Sequence, residues 1–154
     1  MIQRIQSIYL LISIILLALL FSNPLAEIAV VEDLILVFNF NSIKSTGDNG
    51  FQTISTWPVT VLLVSVILLG FIAIFMYKNR ILQIRLCVFK ILLTFGLAGM
   101  IYFLTKTTVK QLEADHFAFL WPVIIPYISI VLTYLAVKRI QKDEKLVRDY
   151  DRIR

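Results

Sequence analysis

Few residues in this chain could do chemistry. Lys90 is the one charged side chain inside a long apolar stretch. A charge there is a functional candidate by default. Its place, one turn inside the start of that stretch, favours a plainer reading in which the long side chain snorkels to the lipid headgroups. His116, the single histidine, has Glu113 and Asp115 close in sequence. That trio could begin a metal site or a proton relay, although a solvated surface histidine is the stronger reading. Cys87 is the only cysteine, so no intramolecular disulfide and no Cys-rich metal site can form. It reads as a small apolar packing residue rather than a reactive thiol.

The remaining interior polar groups are hydroxyls: Ser13, Ser65, Thr94, Ser129 and Thr133. Thr94, Ser129 and Thr133 can satisfy themselves on carbonyls of their own helices. The sequence holds no glycine-rich phosphate loop, no HExxH and no GxSxG. No apolar stretch carries Asp, Glu or His in its middle, whereas intramembrane proteases, proton-coupled carriers and most lipid-modifying enzymes need such groups. The expectation is therefore a non-enzymatic protein with no catalytic residue, no cofactor and no metal.

The elements that carry these residues are dictated by composition. Of 154 residues, 59% are apolar and 16% charged, against about 45–50% and about 25% in soluble domains. The apolar excess lies in four blocks, residues 5–21, 59–77, 86–104 and 117–137. A bilayer core demands about 20 apolar residues of helix, and each block is long enough to cross. The first block exceeds a typical signal-peptide core of about 7–15 residues, and Pro24 occupies the position before a cleavage site that wants a small residue, so it reads as an uncleaved helix. Trp57 and Tyr77 bracket the second block, and Trp121 and Tyr134 lie toward the ends of the fourth, as aromatic belts require. Pro122 and Pro126 lie four apart in the fourth block, where Pro126 is expected to kink the helix. Gly70 with Ala73, and Gly96 with Gly99, place small residues where helices approach closely in lipid.

Charge sets the orientation. Of the fifteen Lys and Arg residues, twelve fall in the head, in the 78–90 region between the second and third blocks, or in the tail. The other side has Lys44, Lys106 and Lys110 only. The positive-inside rule then places both chain ends in the cytoplasm. The net charge of +5 follows from this topology. Nucleic acid is not expected as a partner, because Asp143, Glu144, Asp149 and Asp151 interleave with the basic residues of the tail.

Outside the membrane, residues 22–56 form a long outer loop. Aromatic and Asn residues alternate through Phe38, Asn39, Phe40 and Asn41, turn formers occupy 46–50, and Thr53 and Ile54 follow. This predicts a β-hairpin from 34–43 and 51–56 lying over the outer face, preceded by a short interfacial helix over 25–33. Asp115 is placed to cap the fourth helix. The tail, 138–154, contains no Gly or Pro and should continue as an amphipathic helix, with Glu144 and Arg148 as an i,i+4 pair and Leu146, Tyr150 and Ile153 on one stripe.

The two ends, MIQRIQSIYL at 1–10 and KDEKLVRDYDRIR at 142–154, resemble those of the bacterial domain-of-unknown-function 4293 family. The resemblance covers the whole chain. It implies a small four-span protein of the bacterial inner membrane and supplies no activity. It also draws attention to the ends. Gln3, Arg4 and Gln6 open the first helix on the side where Asp143, Glu144 and Arg148 follow the fourth. If those helices are neighbours, these groups form a polar cluster, with Arg4 paired to Asp143 or Glu144, that locks the helices or docks a partner.

The sequence thus predicts an all-α membrane protein: one domain over 1–154, a four-helix transmembrane bundle with an extracytoplasmic hairpin and a cytoplasmic tail helix. The function expected first is a scaffold or accessory subunit of a membrane complex, with the bilayer and an unknown membrane or cytoplasmic protein as partners. A small carrier or pore, formed as a homo-oligomer, ranks second, and a membrane enzyme last.

Overall fold

The computed structural model describes residues 3–29, 35–45, 54–77, 79–112, 114 and 116–152, with the backbone alone for 3–5, 45 and 146–152. The described chain is mostly helical, with a small antiparallel sheet. Its long helices are α1 (Gln3–Ala18), α2 (Trp57–Phe75), α3 (Arg80–Gln111) and α4 (Ile125–Arg152). Packing is cyclic: α1 lies against α2 and α4, and α3 against the same two. Three apolar segments are long enough to cross a membrane, within Trp57–Phe75, Arg80–Gln111 and Trp121–Lys145; the apolar helix Gln6–Phe21 is shorter. The surface matches, because large apolar side chains such as Leu68, Phe71, Leu92, Phe95 and Val131 point outward.

Local chemistry explains where the helices stop. α1 tightens into a 3-10 turn, Leu19–Phe21. The Leu19 carbonyl accepts from the Ser22 N–H at 3.2 Å and from Asn23 Nδ2 at 2.8 Å, and Pro24 then prevents continuation. Pro58 occupies the first turn of α2, where its missing N–H costs nothing. At 32 residues α3 is about 48 Å long, well beyond the 86–104 block. Nothing from Met100 to Gln111 breaks a helix, and its last turns bury Thr105 and Thr108.

The strands are β1 (Ala26–Ala29), β2 (Ile35–Phe38), β3 (Ser42–Ser45), β4 (Ile54–Ser55) and β5 (His116–Phe119), ordered β4-β3-β2-β1-β5. Register sets Ile28 opposite Leu36 and Phe117, and Phe38 opposite Ile43. Ala26, Ile28, Leu36, Phe38 and Ile43 are buried, while Glu27, Ala29, Ile35 and Lys44 face outward. That period-two face rests on the ends of the helices, sharing one core with Leu20, Val59, Leu63, Ile101 and Ile125. Lys106 Nζ lies 4.5 Å from the centre of the Phe117 ring, and Tyr102 stacks on Phe119 at 6.2 Å, fastening β5 to α3.

Several expectations are corrected. The hairpin is part of a five-stranded sheet, because the segment between α3 and α4 supplies β5. The expected helix over 25–33 contains a strand instead: Ala26 and Ile28 alternate with Glu27 and Ala29, and β2 and β5 saturate both edges of β1. The expected strand over 34–43 turns at 39–41, where the Asn39 N–H donates to the Ser42 carbonyl at 3.0 Å. α4 begins at Ile125 rather than 117. Pro126 therefore lies in its first turn and Pro122 in the preceding 3-10 turn, Trp121–Ile124, so neither proline interrupts a helix interior. Asp115 lies outside the described residues, and a strand rather than a helix follows it.

Candidate functional site

The buried core divides into two apolar clusters. One contains Leu17, Val66, Leu97 and Ile125 beneath the sheet; the other contains Leu10, Ala73, Cys87 and Ala136 toward the opposite end. Between the two clusters every helix contributes at least one buried polar or small residue, Ser13 on α1, Gly70 on α2, Lys90 and Thr94 on α3, Ser129 and Thr133 on α4, with Ile14 packed among them. Each polar pair on α3 and α4 is spaced i,i+4, which puts both members on one face.

Lys90 is the centre of this layer and is fully buried. Its Nζ donates to Ser13 Oγ at 2.5 Å and to Thr133 Oγ1 at 3.3 Å. Ser13 Oγ also lies 2.8 Å from Ser129 Oγ and 3.4 Å from Thr133 Oγ1. Thr133 donates its own proton to the Ser129 carbonyl at 2.8 Å, which leaves its oxygen free to accept from the ammonium. Thr94 donates to the Lys90 carbonyl at 2.8 Å. The expected snorkelling of Lys90 is thus overturned. Hydroxyls from α1 and α4 lie within direct reach of the ammonium, so it turns into the space between the helices. Of the interior hydroxyls, Thr94 and Thr133 bond to carbonyls of their own helices, but Ser129 is shared with Ser13 across a helix interface.

Gly70 is where α2 meets the layer. A Cβ at that position would lie 2.7 Å from Ile14 Cγ1, 2.9 Å from Ile14 Cδ1 and 3.4 Å from Lys90 Cε. Close approach of α1, α2 and α3 therefore requires glycine here. Gly96 and Gly99 behave differently: a Cβ at either would meet nothing within 4 Å, so they are not packing contacts within the chain.

A second polar region lies where α2 ends and α3 starts. Gln6 Nε2 donates to Asp143 Oδ2. Arg80 Nη1 donates to the Asp143 carbonyl at 2.9 Å, and Gln83 Nε2 to the Ala73 carbonyl at 2.9 Å. Gln6 and Asp143 meet because α1 and α4 are neighbours. Arg80 and Gln83 were not among the sequence candidates, and the burial of Gln83 on a helix start offered no pattern to find it. The side chains of Gln3, Arg4 and Arg148 lie outside those described. Glu144 is partly buried and lines a shallow groove along α4 with Lys138, Gln141, Lys142 and Lys145. Between α1, α2 and α3, beside Arg80, lies a cavity of about 540 Å³.

His116 is exposed on β5, while Glu113 and Asp115 lie outside the described residues. Among the described residues no three His, Cys, Asp or Glu side chains gather as metal ligands.

Comparison with curated proteins gives no match. A family model described as "Domain of unknown function (DUF4293)" matches residues 2–153. With nearly its whole length matched, the chain belongs to the DUF4293 family.

Proposed function

We propose that this protein crosses the bacterial cytoplasmic membrane four times, as a transmembrane bundle with both ends in the cytoplasm, and serves as a non-enzymatic scaffold or accessory subunit of a membrane complex. The observation that carries this reading is the Lys90 layer. Among the described residues the one charge in the apolar interior is held by hydroxyls of the protein's own helices, and apolar clusters fill the interior on both sides of it. Such an interior favours a fixed shape over a solute path. The functional surfaces are then the sheet at one end and the polar region with the long α4 at the other.

The membrane reading has its own support. Trp57 and Trp121 are exposed at the sheet end, and Tyr77 is exposed at the other end. The 19-residue helix Trp57–Phe75 lies between these aromatic levels and is about 28 Å long, close to the thickness of a bilayer core. α1 completes a fourth crossing together with its 3-10 turn, its apolar part running Gln6–Phe21.

Two experiments test the proposal. In a Cys87→Ala background, single cysteines at Ser22 and Gln141 should label from opposite sides of intact membranes; labelling from one side overturns the four-span topology. Photocrosslinkers at Lys138, Gln141 and Lys145 in native membranes should yield one defined heteromeric adduct that disappears when the chain is cut after Lys142. A chain that crosslinks only to itself would overturn the accessory role. A carrier draws on one observation, the buried ammonium of Lys90, and would require that transport of some solute stop when Lys90 is replaced.

A further inference from the structure

The cavity of about 540 Å³ lies between the start of α1, the end of α2 and the first turns of α3. Its size falls within the range of about 300–1,000 Å³ that holds small ligands. Ile8, Ile74 and Phe75 form apolar walls. Ile8 and Phe75 are 52% and 75% exposed, so these walls run directly into the outer apolar surface of the helices. Arg80 lies at the polar end with Gln6 and Gln83. Tyr77, on the rim, marks the level of the membrane interface.

Arg80 is held but not neutralised. Its Nη1 donates to a backbone carbonyl, that of Asp143, whereas the Asp143 carboxylate accepts from Gln6. Among the described residues Arg80 has no ion pair. The carbonyl contact uses one donor of Nη1 and leaves most of the five guanidinium donors for a ligand. A planar guanidinium suits a phosphate, which it can bind through two parallel hydrogen bonds. Basic pockets between helices on the cytoplasmic side take anionic lipid headgroups for this reason. The groove along α4 has about the same volume, 570 Å³, but it is lined by charged and amide side chains that include the Glu144 carboxylate, with no Ile or Phe wall for an acyl chain.

We propose that the cavity between α1, α2 and α3 binds one anionic glycerophospholipid, with its phosphate on Arg80 and the first part of an acyl chain along Ile8, Ile74 and Phe75. The lipid would fill the seam where α2 hands over to α3 and tie it to Asp143 on α4 through Arg80. This inference rests on the membrane reading above. Its readout in detergent does not depend on sidedness, so the two can fail separately.

The full chain, purified in mild detergent, is mixed with equal amounts of phosphatidylglycerol and phosphatidylcholine carrying the same acyl chains, and bound lipid is read by native mass spectrometry. One phosphatidylglycerol is retained in preference. Arg80→Gln lowers that preference about tenfold, because both lipids carry the phosphate and only the choline cation of phosphatidylcholine is repelled by the guanidinium, and Lys142→Gln leaves it unchanged. Ile74→Trp, which fills the apolar end and keeps Arg80, abolishes retention of either lipid. If Arg80→Gln does not fold, the Ile74→Trp result decides alone. An unchanged preference in a folded Arg80→Gln chain, an equal loss in Lys142→Gln, or full retention in Ile74→Trp would each overturn the site. If the four spans map correctly while the preference fails, the site is wrong and the membrane reading stands.

Discussion

Replacing Lys90 with methionine should leave the protein as stable as before or make it more stable. An ammonium inside a bilayer-facing helix costs about 2.5–3.5 kcal/mol to insert. Against this, hydrogen bonds to a charged group contribute about 1.5–3 kcal/mol each, and Lys90 has one short contact to Ser13 and one long contact to Thr133. These terms nearly cancel. Methionine matches the length of the aliphatic stem and adapts to irregular gaps. It also strands no partner, because Ser13 Oγ keeps Ser129 Oγ at 2.8 Å and Thr133 keeps its carbonyl. The expected change is between no loss and a gain of about 2 kcal/mol, in line with other replacements of buried charges by apolar residues. Ser13→Ala should behave in the opposite way. It removes the 2.5 Å acceptor and leaves the ammonium with the 3.3 Å contact, at a cost of about 2–4 kcal/mol. The double variant should fall within about 1 kcal/mol of Lys90→Met, giving a coupling of roughly 2–3 kcal/mol between the two sites. Reversible unfolding in mixed micelles, followed by circular dichroism, measures all four proteins. If the two substitutions add within about 0.5 kcal/mol, Lys90 does not depend on Ser13, and its ammonium reaches the headgroups after all.

Other substitutions test the helix contacts and the sheet. Gly70→Ala forces a Cβ to within 3 Å of Ile14 and should cost about 1–3 kcal/mol, whereas Gly96→Ala and Gly99→Ala meet nothing and should gain up to about 1 kcal/mol from helix propensity; the same unfolding assay reads both. Thr56→Val removes the hydroxyl that donates to the Asn39 and Phe40 carbonyls at 3.3 and 3.0 Å. Amides of β3 should then exchange about tenfold faster while those in the middle of α3 stay protected, because the turn loses about 1–2 kcal/mol of anchoring at its junction with α2.

The split between sequence and tertiary structure follows from the range of the forces involved. Long apolar runs, the aromatic residues at their ends and the basic residues near them are local signals, because a bilayer selects each segment by its own length and charge. The sequence alone therefore determined which segments are apolar helices, and its two ends pointed to the family. Elements that depend on a partner far along the chain were read wrongly. Residues 26–29 become a strand between 35–38 and the distant 116–119, and the pairing with 116–119 delays the start of α4 to Ile125. Lys90 shows the limit most clearly. Its depth was readable from its position, and the i,i+4 spacing of Lys90 with Thr94 and of Ser129 with Thr133 was there to be seen. Which way the ammonium turns depends on where Ser13 and Thr133 stand, residues 77 and 43 positions away. Cyclic packing of the four helices brings those hydroxyls within hydrogen-bond reach, and that short-range contact decides the direction of the charge.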